Sequence, residues 1–404
     1  MYIERAISQK LEYMAEHFPV VLITGARQVG KTTLLNRYKE NRSGIAYVTL
    51  DYPVLRNLAK EDPELFLQQY SPPLIIDEIQ YATELLPYIK IRADREQKNG
   101  MYYLTGSQKF HLMRNVSESL AGRAGILTMY PLSDAEKERR SSRPFLPSNI
   151  TVFESNITAT EIFEKIYRGS MPKMAADLQI SPDDFYGSYM QTYLERDLRD
   201  FVKIKDETKF IRFMCCVAAR VSQELNLADI GRDVGIDKKT AENWLSLLVT
   251  SGVVYLMPAY SGNTIKRIIK RPKIYFMDTG LACYLSMWNN PRSLELSAVS
   301  GAFFEDYVIS EIIKSYANSG IDTRSRLCYY RDTSGKEIDL LILENGNICP
   351  VEIKKSAAPK RDAVKNFEVL GDLPAKRGRG GVICLSPYAY PLDADSQAIP
   401  VSAI

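Results

Sequence analysis

Two short runs hold the residue types that phosphate chemistry needs. The first is Thr24-Gly25-Ala26-Arg27-Gln28-Val29-Gly30-Lys31-Thr32-Thr33, which contains the spacing G-x-x-x-x-G-K-T. Glycines let backbone N–H groups close around phosphate oxygens, and a helix opening at this point adds a partial positive charge. In such a phosphate-binding loop Gly25 to Thr33 contact the phosphates, Lys31 reaches the β- and γ-phosphates, and the Thr32 hydroxyl can ligate Mg²⁺. The second run is Leu74-Ile75-Ile76-Asp77-Glu78, an apolar segment ending in two acids. There Asp77 would hold Mg²⁺, directly or through water, and Glu78 would polarise an attacking water as general base.

The elements that must position these residues follow from the apolar pattern. Val20–Thr24 reads as a buried strand entering the glycine loop, with a helix from about Gly30. Residues 2–17 read as an amphipathic helix leading into that strand. Ile45–Leu50, the run within Pro73–Gln80 that ends in Asp77-Glu78, Gly100–Gln108 and Ile126–Tyr130 read as further strands, separated by helical stretches. Unbroken apolar strands alternating with helices predict a parallel α/β domain, whose ligands gather at the carboxyl ends of the strands. Two more polar candidates lie there. Ser107 (with Gln108 beside it) could sense a γ-phosphate or position water, or belong to an ordinary turn. Arg123, on the Gly-flanked segment Leu120-Ala121-Gly122-Arg123-Ala124-Gly125, could act as an arginine finger in cis or in a neighbouring subunit, or be a solvated surface arginine.

The runs Thr24–Thr32, Ile75–Gln80, Leu104–Ser107 and Ser119–Arg123 together resemble an AAA+ P-loop ATPase family found in many bacterial and archaeal proteins. The likeness covers about residues 1–135. It implies ATP and Mg²⁺ as cofactors, an ATP hydrolase, and a homo-oligomer assembled as a ring, hexamer or heptamer. Tyr189–Asp200 resembles the same family. On that stretch Glu195 and Arg199 are spaced for a salt-laced helix face, while Arg196 or Arg199 could instead reach phosphates from a helical lid or a neighbouring subunit.

Beyond the first domain, Glu138–Pro144 is a polar connector. Leu227–Leu248 reads as helix–turn–helix, with Gly235 in the turn and Asp237 capping the second helix. The strand Val253–Met257, the basic hairpin Lys266–Lys273 and the strand Ile274–Asp278 complete a winged-helix pattern. Either the helix bearing Lys238 and Lys239 enters a DNA groove while the wing grips phosphates, or the unit is a packing module on the ATPase. Near the C-terminus, Asp339 opens one strand, and Glu352 and Lys354 share one face of the next because side chains alternate along a strand. Asp339 and Glu352 could hold Mg²⁺ with Lys354 near a scissile phosphate, and Glu305 could complete the cluster from a helix. This set resembles the PD-(D/E)XK nuclease fold over about residues 298–388, although no proline precedes Asp339. The resemblance implies metal-assisted phosphodiester cleavage, in a fold that also hosts members without it. Lys376–Gly381 reads as a basic, flexible loop.

Composition excludes more than it selects. The chain has 404 residues, 45% of them hydrophobic, and a formal charge of +3, which neither demands nor forbids nucleic acid. Six scattered cysteines without C-x-x-C suit a reducing cytoplasm, and two histidines give little basis for a His-based metal site or a Ser-His-Asp triad. No stretch is apolar enough to span a membrane. The expected organisation is an α/β AAA+ domain over 1–135, a helical lid or connector over 136–205, a winged helix over 206–280 and a PD-(D/E)XK nuclease-like domain over 281–404. The expected function is Mg²⁺-dependent ATP hydrolysis coupled to DNA binding or remodelling. The alternatives are an ATP-gated nuclease and a nucleotide-controlled switch acting on protein partners.

Overall fold

In a computed structural model of the chain, residues 2–106, 119–150, 154–193, 206–261, 270–372 and 375–404 are described below. Ser107, Gln108, Glu195, Arg196, Arg199, Lys266 and Arg267 lie outside the described residues. The architecture is mixed α/β: a parallel N-terminal sheet flanked by helices, a helical middle and a C-terminal mixed sheet.

The N-terminal sheet consists of β1 (Val20–Thr24), β2 (Ala46–Thr49), β3 (Leu74–Asp77), β4 (Tyr102–Gly106) and β5 (Ala124–Thr128), in the order β2-β3-β4-β1-β5. All four pairings are parallel. The unbroken runs that marked β1 and β3 are buried along their whole length, as a sheet covered on both faces requires. Helix α1 spans Ser8–His17, shorter than the amphipathic pattern over 2–17 predicts. Arg5 accounts for the difference: its buried guanidinium donates to Val29 O at 2.7 Å, to Tyr130 O at 2.8 Å and to Glu136 Oε1 at 2.9 Å. The leading segment is thereby tied to the phosphate-binding loop.

The middle begins with helices Ala159–Arg168, Pro172–Ala176 and Pro182–Tyr193. Helices Glu207–Ala218, Leu227–Val234 and Lys238–Thr250 follow, and then the antiparallel pair β6 (Val254–Met257) and β7 (Lys273–Phe276). Gly235 takes the left-handed conformation, φ 74°, and Asp237 Oδ1 accepts from Thr240 N at 2.9 Å, as the turn and cap pattern predicts. Trp244 locks the first of these helices to the third. Its ring meets Phe210 and Phe213 edge-on, with centroids 5.2 and 5.5 Å apart.

The C-terminal part places the helix Ser300–Asn318 against a sheet of β8 (Leu327–Arg331), β9 (Glu337–Glu344), β10 (Asn347–Lys354), β11 (Lys376–Arg377), β12 (Gly380–Cys384), β13 (Tyr390–Pro391) and β14 (Ser396–Pro400). The strand order is β13-β14-β12-β10-β9-β8, with β11 also beside β10. The Lys376–Gly381 stretch corrects the sequence expectation of a flexible loop. Lys376 and Arg377 form β11, and Gly380 and Gly381 open the buried strand β12. The glycines serve close approach rather than freedom: a Cβ on Gly378 would lie 2.6 Å from Cys349 Sγ, and one on Gly381 2.6 Å from Ile399 Cδ1.

Removing one partner of a buried ion pair strands the other charge, at a cost of about 3–5 kcal/mol. Arg5→Met should therefore lower the thermal unfolding midpoint clearly, and adding Glu136→Gln should restore part of the loss. A melt of Arg5→Met that overlays the parent would show that the pair does not hold the N-terminal segment.

Candidate functional site

The phosphate-binding loop runs from the end of β1 to the helix Lys31–Glu40. Its backbone needs the residues it has. Gly25 has φ 149°, and a Cβ there would lie 2.1 Å from Met129 O, so only glycine fits. Gly30 caps the helix at φ 94°. Lys31 is buried, and its ammonium donates to Gly25 O at 2.9 Å and Ala26 O at 2.8 Å, folded over the loop's own carbonyls. Gln28 and Thr33 are exposed, and Arg27 is half-buried.

Thr32 and Asp77 meet across the top of the sheet. Thr32 Oγ1 donates to Asp77 Oδ1 at 3.0 Å and lies 3.1 Å from Oδ2. Two further hydroxyls, absent from the sequence-based site, converge on the same carboxylate. Tyr47 OH donates to Oδ2 at 3.0 Å, and Thr105 Oγ1 donates to Oδ1. Tyr47 is held strongly in its neutral form by burial and by the adjacent Asp77 charge. Thr105 also accepts from Glu78 N at 3.1 Å, so one hydroxyl orients both acids. The signal that could have found Thr105 is its place at the carboxyl end of β4, next to β3. Glu78 sits in the left-handed region at φ 59°, and its side chain accepts from Gln80 Nε2. A hydroxyl and a carboxylate at this separation are oxygen donors of the kind Mg²⁺ takes. The loop's backbone N–H groups and Lys31 are donors of the kind a polyphosphate takes.

Other candidate residues are placed elsewhere. Arg123 pairs with Asp94, with Nη2–Oδ2 at 3.1 Å, and donates to Ala121 O at 2.8 Å. Its guanidinium is thus engaged within the chain. The turn after helix Lys238–Thr250 reaches the loop instead, where a Cβ on Gly252 would sit 3.7 Å from Ala26 N.

The C-terminal residues Glu305, Asp339, Glu352 and Lys354 do come together. Lys354 Nζ lies 2.6 Å from Glu352 Oε2 and 3.5 Å from Asp339 Oδ2, as the alternation of side chains along β10 predicts. Asp339 Oδ2 also accepts from Ile353 N at 2.8 Å. Burial, with Asp339 beside it, pushes Glu352 up to about 9; burial and Asp339 push Glu305 up to about 7. The residue missed by sequence reasoning is Lys273. It ends the basic hairpin but is buried, with Nζ 3.0 Å from Glu305 Oε1 and 2.6 Å from Glu337 Oε1. Burial pulls this ammonium's pKa down, but Glu305, Asp339 and Glu337 outweigh it and leave it raised.

Residues 17–137 match a family model described as an AAA domain. The N-terminal domain is an AAA-type P-loop ATPase domain. Residues 159–292 and 300–404 match two families described as domains of unknown function, DUF8612 and DUF4143. Over its full length the chain is 27% identical to uncharacterized proteins of Mycobacterium tuberculosis (Rv2008c) and Mycobacterium bovis (Mb2031c), covering 85% of each. Among solved structures it is similar to the Walker-type ATPase PABY2304 of Pyrococcus abyssi, at 16% identity and TM-score 0.45, over 71% of this chain and 96% of that one. It is also similar to the Thermotoga maritima RuvB Holliday junction branch migration motor, at 20% identity and TM-score 0.31, over 62% of this chain and 89% of that one. Among the described residues, no helix is long and apolar enough to cross a membrane.

Outer-shell partners of a metal ligand typically change affinity or activity 10–100-fold when removed. In this AAA domain Thr105→Val should lower ATP turnover by about that factor, with the circular dichroism spectrum unchanged. Parental turnover in a folded Thr105→Val protein would remove Thr105 from the site.

Proposed function

We propose that the chain is a Mg²⁺-dependent ATP hydrolase that assembles with copies of itself and couples turnover to DNA. The observation that carries the ATP chemistry is the direct meeting of Thr32 with Asp77 beside the Lys31 loop. Thr32 and Asp77 would hold Mg²⁺, which when bound neutralises phosphate charge. Residues 25–33 would cradle the phosphates, with Lys31 exchanging its two carbonyl contacts for phosphate oxygens. Glu78 would take the proton of the attacking water, and Gln80 and Thr105 set its position. Ser107 remains our candidate for sensing the γ-phosphate, and Arg123, once released from Asp94, for acting as an arginine finger in cis or in a neighbouring subunit. We keep the division into an AAA+ domain (1–135), a lid (136–205), a winged helix (206–280) and a nuclease-like domain (281–404).

DNA is supported by the second helix of the helix–turn–helix. Lys238, Lys239, Glu242, Asn243 and Ser246 are exposed on it, while Ala241, Trp244, Leu245 and Leu248 are buried. One face is thus held by the core and the other is open to a partner. The proximity of Gly252 to Ala26 supports a link between that helix and the nucleotide. A second reading, an ATP-gated nuclease, has the convergence of Asp339, Glu352 and Lys354 in its favour and Lys273 against it.

Purified protein should hydrolyse ATP only with Mg²⁺. Lys31→Ala should abolish turnover, and Glu78→Gln should bind ATP without cleaving it. Single-stranded, duplex or branched DNA should raise turnover several-fold in the parent and less in a Lys238→Ala/Lys239→Ala variant. Turnover that no DNA form changes would refute the coupling and favour a switch acting on protein partners.

A further inference from the structure

The carboxylates of the C-terminal domain are met by a cation from outside that domain's sheet. Lys273 begins β7, which pairs with β6 of the middle region. Its Nζ lies 3.0 Å from Glu305 Oε1, 2.6 Å from Glu337 Oε1 and 4.0 Å from Asp339 Oδ1, and the side chain is 4% exposed. The Tyr329 ring covers it, 5.6 Å from the ammonium. On the opposite side of Asp339, Lys354 Nζ joins Glu352 Oε2 and Asp339 Oδ2. Tyr275 OH donates to Glu305 Oε1 at 2.7 Å, and Arg331 lies 3.5 Å from Glu337 Oε2. Each acid of the cluster therefore has a cationic neighbour within 4.0 Å. One acceptor is left over: Glu352 Oε1 is buried and receives no hydrogen bond.

A hard divalent cation needs several oxygens that converge on one point. Among the described residues no three His, Cys, Asp or Glu side chains converge in that way. The acids point instead at two ammonium groups. A divalent ion entering between Glu305 and Asp339 would have to expel Lys273, leaving a buried ammonium without its partners. The residues present thus do not fit a metal while β7 stays in place.

We infer that Lys273 takes the place of a divalent cation in the Glu305–Glu337–Asp339–Glu352 cluster, closing it to metal and clasping β7 to the C-terminal domain. Glu305 Oε1, Glu337 Oε1 and Asp339 Oδ1 are the oxygens that become available when the ammonium is removed.

The test is a titration of nucleotide-free, full-length protein with Mn²⁺, reading free Mn²⁺ by electron paramagnetic resonance. The parent and Asp339→Asn should give the same curve. Lys273→Met should take up one additional Mn²⁺ per chain, and Lys273→Met/Asp339→Asn should lose it. Should Lys273→Met fail to fold by circular dichroism, Lys273→Gln, which removes the charge but keeps a polar head, takes its place. Uptake by the parent that Asp339→Asn abolishes would overturn the inference. So would a folded Lys273 variant that gains no site. ATP turnover is not the readout, so this outcome and that of the ATPase tests are separable.

Discussion

A charge removed from water has to be met by an opposite charge, and in this chain the partner usually comes from a different part of the sequence. Asp134, just beyond the last strand of the AAA domain, shows this. Its carboxylate is held far below the usual range: burial opposes this, but Lys137, Lys165 and the Tyr307 hydroxyl outweigh it. Lys165 belongs to the helix Ala159–Arg168 and Tyr307 to the helix Ser300–Asn318. One turn along that last helix, Glu311 accepts from Asp134 N at 2.7 Å, and Lys314 donates to Glu311, Leu132 O and Ser170. The exit of the ATPase sheet is therefore bolted to the middle and to the C-terminal domain by groups that cannot part without stranding charge.

This constraint gives the nucleotide loop its mechanical surroundings. Arg5 joins Val29 O, inside the loop, to Glu136, two residues from Asp134. Glu136 in turn closes a capping box with Ser133. From the other side, the turn holding Gly252 rests beside Ala26. The backbone between Gly25 and Gly30 is thus touched at two places, one leading to the Asp134 cluster and one to the turn after the helix Lys238–Thr250. That is a physical route for coupling, because buried ion pairs and packed turns have discrete arrangements rather than a continuum.

What was legible in the sequence was whatever rests on local pattern. The glycine loop, the apolar run ending in Asp77-Glu78, the cap at Asp237 and the same-side placement of Glu352 and Lys354 all follow from spacing along one element. What was not legible depends on neighbours distant in sequence. Tyr47 and Thr105 join Asp77 only because β2 and β4 flank β3. Arg5 resembles any helix-leading arginine until Val29, Tyr130 and Glu136 are placed around it. The glycines at 378, 380 and 381 signal either freedom or close packing, and only the presence of Cys349, Phe367 and Ile399 decides for packing.

Lys273 carries the same lesson into function. As part of a basic hairpin it counts toward a surface that grips phosphate, yet its charge is neutralised inside the protein. Lys270, three residues earlier, directs its ammonium to Arg331 O at 3.2 Å. Of the described basic residues at this end of the hairpin, Arg271 is thus left as the exposed guanidinium. Among the described residues, Lys273 thus serves as a clasp rather than as part of a surface open to phosphate. β7 pairs with β6, the strand that follows the turn whose Gly252 lies beside Ala26 in the loop. Ala26 is thus connected, through the packing of Gly252 and the hydrogen-bonded pairing of β6 with β7, to the strand whose Lys273 meets the carboxylates.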